Sequence, residues 1–560
     1  MKIHQKFFHE SQWTRFENIL VRRKSVSGNT FFSDKHLIDR SKDVTDLNSA
    51  RALNETLNGF FSWIKIEPDR VLLSVDHHRS IPLFYAIRGN EVFISDWTNW
   101  VYRQVPETQP DDVMLAEFLV LGYITGTQTL SRDIHQLEPG TIVEISNSNG
   151  ATGIKTSTVR YFDYIHSYRS GSREQFNRDL DDILVQTMDR AVQYASGRTI
   201  ALPLSGGYDS RLIALMLNRL DYPDVICYSY GKKNCAEMKI GRQIAEQLGF
   251  RWIGITYTAE KWRKWFYRKE RSDYYRAASQ LAGIPNIQEL VAIGELRETG
   301  AMPADSVIMG GHMGGALVGG RGQYDSYTYR ERPEISTETV LRHIMHYHYS
   351  LWDWSGFQTK LEPFFRERIL QSLLPIETYP DSPSACEAWN IQQRQSRFIM
   401  SVPRLYDFFG FDYWMPFCDQ DYMNFWLSVP LRFRHDNNLY TNYIDQLSPF
   451  RIATHSPEKR ILRIREIIRG TPLFRPTQAM YNRWDRRRKR KKEYRNHPMA
   501  WYGIMEKATF DSLYTGQENI NSFQSLELLR TLLENGYLSP DEILQRSCEE
   551  VAEAYPDING

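Results

Sequence analysis

Cysteine is scarce in this chain, and its distribution limits the chemistry that it can support. The 560 residues contain five cysteines, the first of them Cys227, and none has the C-x-x-C or Cys/His spacing of a metal site. The sequence therefore predicts buried thiols rather than a disulfide framework. Any nucleophile in the N-terminal region must be a residue other than cysteine.

Long apolar runs and an excess of charge are missing as well. No apolar run reaches about 18 residues and no apolar segment follows the polar start 1–6, which predicts neither a transmembrane helix nor a signal peptide. The formal net charge of +1 implies no general affinity for nucleic acid or membranes. With 41% hydrophobic residues, the sequence predicts a large cytoplasmic protein of two or more domains.

The pattern of predicted elements changes twice along the chain. Up to about residue 165, short β-branched or aromatic stretches between turn residues predict strands at 71–75, 83–87, 91–95 and 141–145, a hairpin turn at 88–90 and a loop or linker at 146–158. Strands at 199–204, 225–230 and 252–256 then alternate with helices at 173–195 and 236–248. This alternation predicts a parallel sheet that binds its ligand at the carboxyl ends of its strands. Beyond residue 335 the chain is predicted to be mostly helical.

The most informative segment is Ser205-Gly206-Gly207-Tyr208-Asp209-Ser210, between the apolar run that ends at Leu204 and a helical pattern. Paired glycines let backbone N–H groups converge, and the first turn of the helix offers unpaired donors to an anion. Ser205 and Ser210 add hydroxyl donors, and Asp209 can hold a divalent cation that bridges phosphate oxygens. The segment predicts a phosphate cradle; the alternative is a tight turn that binds nothing.

The pattern S-G-G-x-D-S resembles the pyrophosphate loop (PP-loop) of the ATP pyrophosphatases, which split ATP between its α and β phosphates. It is not a P-loop, because no Gly-Lys-Ser/Thr follows the glycines. The resemblance implies ATP and Mg²⁺ as cofactors and an adenylate as product, with Asp209 as the metal ligand and catalytic residue. It implies nucleotide-binding roles for Leu204, Ser205, Gly206, Gly207, Asp209 and Ser210.

Further segments, in a common order along the chain, resemble the asparagine synthetase superfamily. They are 76–85, 121–124 with 137–140, 229–231 with Glu237, and 415–430. The resemblance implies an α/β protein with an Ntn-hydrolase-like αββα sandwich over 1–165, a PP-loop parallel-sheet core of the adenine nucleotide alpha hydrolase type over 166–335, and a helical extension over 336–560. It also implies that Tyr230 lies on the adenine side and that Gly310 and Gly311 belong to a second phosphate loop.

The N-terminal region departs from the family pattern. Members that hydrolyse glutamine expose a cysteine directly after the initiator methionine, where this chain has Lys2. We therefore expect a degenerate glutaminase-like domain without glutaminase activity. The β-lactam synthetase, lasso-peptide cyclase and polysaccharide-cluster branches show the same feature, and there the nitrogen comes from elsewhere, for example from an amine or a separate glutaminase.

The second loop, residues 310–320, keeps the glycines of the family's S-G-E-G-S-D-E-L-F-G-G but not its acids. The acidic positions fall on His312, Gly315 and Ala316. The resemblance implies that the position of Gly315 holds a metal-binding aspartate in the family. Asp305 and Asp325 lie nearby in this sequence and are candidates to take its place. Two outcomes stay open: adenylation persists, or the chain is a catalytically degenerate nucleotide-binding relative.

Three other features have open interpretations. The family's catalytic lysine matches Lys459, Lys489, Lys491 and Lys492 equally well. The basic run 486–492 (Arg486 to Lys492) is either a contact for an anionic partner or a solvated helix face. His343, His346 and His348 are closely spaced but lack a nearby cysteine or an H-E-x-x-H pattern, so no zinc site is expected there.

The resemblance as a whole implies an AMP-forming carbon–nitrogen ligase. It would adenylate a small acid or sugar acid, as in amidation of a uronic acid during surface-polysaccharide synthesis, for attack by ammonia or an amine. Asparagine formation from ammonia is the nearest enzymatic alternative. A PP-loop thiolase acting on RNA is less favoured, because the usual catalytic cysteine pair is missing.

Overall fold

The computed structural model describes residues 1–27, 30–31, 34–147, 153–319, 335–448, 493–532 and 539–554. Its N-terminal part consists of short strands and four helices: β1 (Lys2–Gln5), β2 (Thr14–Phe16), β3 (Ile19–Ser27), β4 (Thr30–Phe31), α1 (Asp34–Lys42), α2 (Leu47–Asn54), β5 (Asn58–Ile66), β6 (Arg70–Val75), β7 (Phe84–Arg88), β8 (Glu91–Ser95), α3 (Thr98–Gln104), α4 (Asp112–Leu121), β9 (His135–Gln136), β10 (Thr141–Asn147) and β11 (Ile154–Arg160).

Two stacked sheets organise these elements. The smaller has the strand order β1-β8-β7-β9, and the larger has the order β11-β10-β6-β5-β3-β2 with β4 beside β3. Successive residues of β6 face opposite sides: Leu73 packs between the sheets with Ile94, whereas Leu72 packs under α1 and α2 with Leu37. Val101 of α3 covers the outer face of the smaller sheet. The result is the predicted αββα sandwich.

The four strands predicted in this region are confirmed, but the loop or linker predicted at 146–158 is wrong at both of its ends, and residues 148–152 lie outside the described residues. Strand β10 runs to Asn147, and β11 pairs with it antiparallel from Ile154 to Arg160. Most residues of β11 are partly or fully exposed, as expected for an edge strand with one sheet neighbour. Because β11 is exposed, it is rich in Lys, Ser and Thr, and its composition resembles that of a loop.

The rest of the described chain is a parallel sheet surrounded by helices. Its elements are α5 (Arg173–Ala195), β12 (Ile200–Pro203), α6 (Tyr208–Arg219), β13 (Val225–Gly231), α7 (Ala236–Gln247), β14 (Arg251–Thr256), α8 (Ala259–Phe266), α9 (Lys269–Ala278), α10 (Leu290–Glu298), β15 (Val307–Met309), α11 (Gly314–Leu317), α12 (Thr337–His348), α13 (Gln358–Gln371), α14 (Ser382–Trp389), α15 (Val402–Phe409), β16 (Asp412–Trp414), α16 (Gln420–Ser428), α17 (Leu431–Arg434), α18 (Asn438–Leu447), α19 (Lys507–Leu513), α20 (Ile520–Leu532) and α21 (Pro540–Ala554).

The order of this sheet is β14-β13-β12-β15-β16, with every neighbouring pair parallel. The chain runs outward from β12 to β14 on one side and from β15 to β16 on the other. This arrangement makes the junction of β12 and β15 a topological switch point, where α/β sheets open a crevice for a ligand. Strand β16 comes from the predicted helical extension, so that segment completes the sheet.

Buried polar contacts join the sandwich to the second half. Arg22 of β3 donates to Asp407 of α15 at 2.9 Å and to Asp96 at 3.3 Å, and all three side chains are buried. Asn58 of β5 donates to Asp419 at 3.1 Å. No helix in the described parts of the chain is long and apolar enough to cross a membrane.

Candidate active site

A cavity of about 550 Å³ opens at the carboxyl ends of β12 and β15. The loop between β12 and α6 forms one wall, and the loop between β15 and α11 forms the opposite wall. Tyr228, Ser229 and Tyr230 at the end of β13 extend the first wall, and the helical half contributes Arg394, Phe398 and Gln524 at the far end. One crevice therefore joins the end formed by the two loops to a compartment lined by the helical half.

Asp209 lies in the first turn of α6, where the N-cap Gly207 provides no side-chain cap. Its Oδ1 accepts a hydrogen bond from the Tyr440 hydroxyl at 2.7 Å, and its Oδ2 accepts one from the Gly315 N–H at 3.2 Å. Burial raises the pKa of Asp209 to about 6, although these two hydrogen bonds act in the opposite direction. The carboxylate is thus held in place by both the helical half and the second loop.

The glycines of the second loop allow its backbone to approach Asp209. A Cβ on Gly311 would lie 2.9 Å from the Asp209 Cβ, and one on Gly314 would lie 2.8 Å from Asp209 Oδ1. A Cβ on Gly315 would lie 3.4 Å from Asp209 Oδ2, which is an ordinary contact distance. Position 315, where the family pattern has an aspartate, is therefore adjacent to the one carboxylate of the first loop.

The structure brings most of the predicted site residues together. The following line the cavity: Leu204, Ser205, Gly207, Asp209, Ser210, Tyr230 and Gly311. Gly206 and Gly310 do not line it; a Cβ on Gly206 would contact Ile240 of α7 at 3.1 Å, and one on Gly310 would meet His312 and Met415. The sequence had given these two glycines the same role as their neighbours.

Several other predicted residues lie apart from the cavity or outside the described residues. Asp305 is exposed and does not line it, and His343, His346 and His348 lie along α12. The described residues contain no group of three or more His, Cys, Asp or Glu arranged for a metal ion. Outside the described residues lie Gly320, Asp325, Lys459, Lys489, Lys491, Lys492 and the whole basic run 486–492.

Two further side chains in the wall carry shifted pKa values. Glu289 is buried and accepts hydrogen bonds from the hydroxyls of Tyr228 at 2.7 Å and Tyr406 at 3.0 Å. Burial raises its pKa to about 7. Burial lowers the pKa of His312 to about 4, and its Nδ1 has no hydrogen-bond partner among the described residues. The sequence offered no motif that marks Glu289 or Tyr440.

The side chains of the cavity fit a single Mg²⁺ that would be held mainly by the phosphates of a bound nucleotide. Mg²⁺ is commonly bound through one or two carboxylates together with substrate phosphates and water. Asp209 supplies one carboxylate, and each of its oxygens keeps a lone pair beside its hydrogen bond. Asp209 therefore fits the metal only in company with the phosphates of a nucleotide.

Comparison with known proteins identifies two regions. The family model described as asparagine synthase matches residues 179–464, which is more than half of the chain. A glutamine amidotransferase domain model matches residues 48–157. No curated protein matches the chain.

Among solved structures, two similar chains are amidotransferases or enzymes of purine biosynthesis. The glutamine phosphoribosylpyrophosphate amidotransferase from B. subtilis, complexed with ADP and GMP, is 13% identical, with 44% of this chain and 72% of that chain covered and a TM-score of 0.20. A structure described as the allosteric regulatory enzyme of purine biosynthesis is 12% identical, with 44% and 71% covered and a TM-score of 0.19.

Proposed function

The chain belongs to the asparagine synthase family of ATP-dependent carbon–nitrogen ligases, and we propose that it forms an amide through an adenylated carboxylate, releasing AMP and pyrophosphate. The observation that carries this proposal is the meeting of two glycine loops at Asp209. The Gly315 N–H of the second loop donates to Asp209 Oδ2, so both loops face one cavity at the switch point of the sheet.

In this proposal the phosphates of ATP lie between the two loops. The uncapped first turn of α6 offers backbone N–H groups and the positive end of the helix dipole. The Ser205 hydroxyl accepts from the Gly207 N–H at 3.2 Å, and the Ser210 hydroxyl accepts from the Ser205 N–H at 3.2 Å, which fixes the loop. Mg²⁺ at Asp209 would neutralise charge on the departing pyrophosphate.

The acceptor carboxylate would enter from the compartment lined by the helical half. Its oxygen attacks the α-phosphorus, the bond to the bridging oxygen breaks, and pyrophosphate leaves. Ammonia or an amine then attacks the acyl carbon of the adenylate, and AMP leaves with the bonding electron pair. The proton that the attacking nitrogen releases goes to solvent, because His312, whose pKa burial lowers to about 4, is too weak a base to hold it at pH 7.

Arg394 is the cation that the described helical half contributes to the cavity wall. It supports the choice of an anionic acceptor, for which we propose a small acid or a sugar acid of surface-polysaccharide synthesis. Asparagine formation from ammonia is the competing reaction at the same site. Because the proposed reaction consumes ATP, we propose a cytoplasmic location.

We also propose that the chain has no glutaminase activity of its own. The sandwich occupies residues that contain no cysteine, since the first cysteine of the sequence is Cys227 in β13. Nitrogen would then come from free ammonia, an amine substrate or a separate glutaminase. Purified chain should release no more glutamate from glutamine than a mock preparation does, and clear turnover would contradict this part of the proposal.

Product analysis tests the proposed reaction. ATP labelled at the α-phosphate is incubated with Mg²⁺ and mixtures of small acids, sugar acids, ammonia and amines. The proposal predicts AMP and pyrophosphate in at least one mixture. ADP and phosphate as products would point to a different reaction, and binding of ATP without any product would support the degenerate nucleotide-binding relative.

A further inference from the structure

A second, much smaller cavity lies where the sandwich meets the helical half. Its volume is about 20 Å³, and it is lined by three arginines from separate segments. Arg79 lies in the turn after β6, Arg397 precedes α15, and Arg404 lies within α15. All three side chains are buried. Three guanidinium groups therefore line one small cavity that is separate from the active-site cavity.

Two of these arginines have partial hydrogen-bond partners. Arg397 donates to the carbonyls of Gln392 at 2.6 Å and Gly126 at 2.7 Å, but its Nε has no partner among the described residues. Arg404 donates to the Ser80 carbonyl at 2.9 Å. The carboxylates nearest to them, Glu138 and Asp407, are 3.7 and 3.6 Å away, and each also pairs with another arginine.

Arg79 has no acidic partner among the described residues. Its Nε and Nη2 have no hydrogen-bond partner in that part of the chain, and no carboxylate there lies within ion-pair distance. Its guanidinium lies 5.2 Å from the centre of the Phe84 ring. Its backbone has a φ of +54°, which is unfavourable for a residue with a long side chain. The fold thus keeps an arginine at a position that would suit glycine.

The charged residues that line the cavity are all positive: Arg79, Arg397 and Arg404, with no carboxylate among the lining residues. The nearest carboxylates, Glu138 and Asp407, lie outside the lining and are shared with Arg160 and Arg22. Burial, followed by the positive charges of Arg397 and Arg404, lowers the pKa of Arg79 well below its usual value. Because arginine remains protonated in proteins, a buried guanidinium without a counter-charge is strongly destabilising.

We propose that this cavity binds a monovalent, monatomic anion, for which chloride is the abundant example. A polar cavity needs a volume of roughly 10–15 Å³ to hold one particle the size of a water molecule. This cavity, at about 20 Å³, holds one such particle and is too small for acetate, sulfate or phosphate. A single negative charge in this cavity would lie among the three guanidinium groups that line it. The anion joins the turn after β6 to α15 and so stabilises the contact between the sandwich and the synthetase half.

Thermal unfolding of the full chain tests the site. The protein is transferred to sodium acetate buffer and titrated with sodium chloride or bromide at constant ionic strength. For the wild type we expect a Tm that rises by roughly 1–2 °C per tenfold increase in halide above the dissociation constant. Arg79→Gln should abolish the halide response. The control Arg51→Gln, which removes an exposed pair with Glu55, should keep it.

The proposal is overturned if wild type and Arg79→Gln respond equally to halide, or if acetate stabilises the wild type as well as chloride does. A second measurement does not depend on the variant folding. Crystals of the wild type equilibrated with bromide should show an anomalous peak between Arg79, Arg397 and Arg404. A map without that peak would equally overturn it.

Discussion

At Asp209, burial and hydrogen bonding act on one carboxyl group in opposite directions. Burial raises its pKa to about 6, and the hydroxyl of Tyr440 lowers it by stabilising the charged form. Since the folded pKa lies above the ordinary value, Asp209 contributes stability that is full below about pH 4 and is lost as the pH rises through 6. The site holds a negative charge at neutral pH, which a bound Mg²⁺ would stabilise and which would otherwise repel the phosphates of ATP.

Tyr440→Phe removes the donor to Asp209 Oδ1. We expect the pKa of Asp209 to rise by about half to one unit, because a hydrogen bond to the charged form is lost. Magnesium-dependent ATP binding requires the ionised carboxylate. The acid limb of the pH profile of this binding should therefore move to higher pH by the same amount. Calorimetric titrations between pH 5 and 8 measure the shift. Tyr443→Phe on the same helix is the control, because Tyr443 donates to Asp181 instead. An unshifted limb in Tyr440→Phe would contradict the assigned role of Asp209.

Gly315→Asp returns a carboxylate to the position next to Asp209. With Mg²⁺ present, two carboxylates should lower the concentration of metal needed for ATP binding. Without Mg²⁺, the added charge should weaken ATP binding about tenfold by repulsion. Gly315→Asn supplies the same volume without the charge and separates steric from electrostatic effects. Identical magnesium titrations for all three proteins would show that position 315 does not act on the metal.

The sequence predicted residues of the site only where a local motif carried them. Ser205, Gly207 and Asp209 follow from one loop pattern, and the structure places all three in the cavity wall. Gly206 belongs to the same pattern but does not line the cavity, and a Cβ at this position would point at Ile240 of α7. The direction in which the position faces depends on packing against another element, which the loop pattern does not describe. Tyr440 reaches Asp209 from a helix more than 200 positions away, and no local pattern encodes such a contact.

Among the elements, α7 sets the position of the first loop. A Cβ on Gly241 of this helix would lie 2.5 Å from the Ser229 hydroxyl and would also meet the Leu204 carbonyl. Ser229 itself donates to that carbonyl and accepts from the indole of Trp252 at 3.0 Å. The close approach of α7 thus holds the end of β12, where the predicted phosphate loop begins.

Gly241→Ala tests this packing. The methyl group must push α7 away from Leu204 and Ser229, at a cost of about 1–3 kcal/mol, which exceeds the roughly 1 kcal/mol by which alanine favours a helix. We expect a lower Tm and several-fold weaker ATP binding. Gly356→Ala provides the comparison, since a Cβ there meets nothing within 4 Å. Equal stability of the two variants would mean that α7 tolerates displacement without moving the loop.

Element prediction was accurate where periodicity was strong. The helix predicted at 173–195 begins and ends at those residues, and the strands around it follow closely. The edge strand β11 was missed because its exposed residues are polar. The strand β16 has three residues, Asp412–Trp414, within a helical segment, and its identity depends on pairing with β15. Long-range pairing, rather than local composition, decides both cases.

On the scale of the whole molecule, the order of the parallel sheet creates the site. The loops after β12 and β15 are about one hundred positions apart in sequence, and they meet because these strands are neighbours. The sequence predicted that ligands bind at the carboxyl ends of the strands but not which strands lie side by side. The sandwich contributes the buried Arg22–Asp407 contact, so the synthetase half is supported by a domain that we propose has no glutaminase role.

Exchange of labelled pyrophosphate into ATP tests the central claim most directly, because it reports adenylate formation without requiring the amine. The full chain is incubated with Mg²⁺, ATP, labelled pyrophosphate and individual small acids or sugar acids. The account predicts acid-dependent exchange with at least one acid, and a loss of about 100-fold or more in Asp209→Asn. Binding of ATP without exchange for every acid, or exchange that is undiminished in Asp209→Asn, would contradict it.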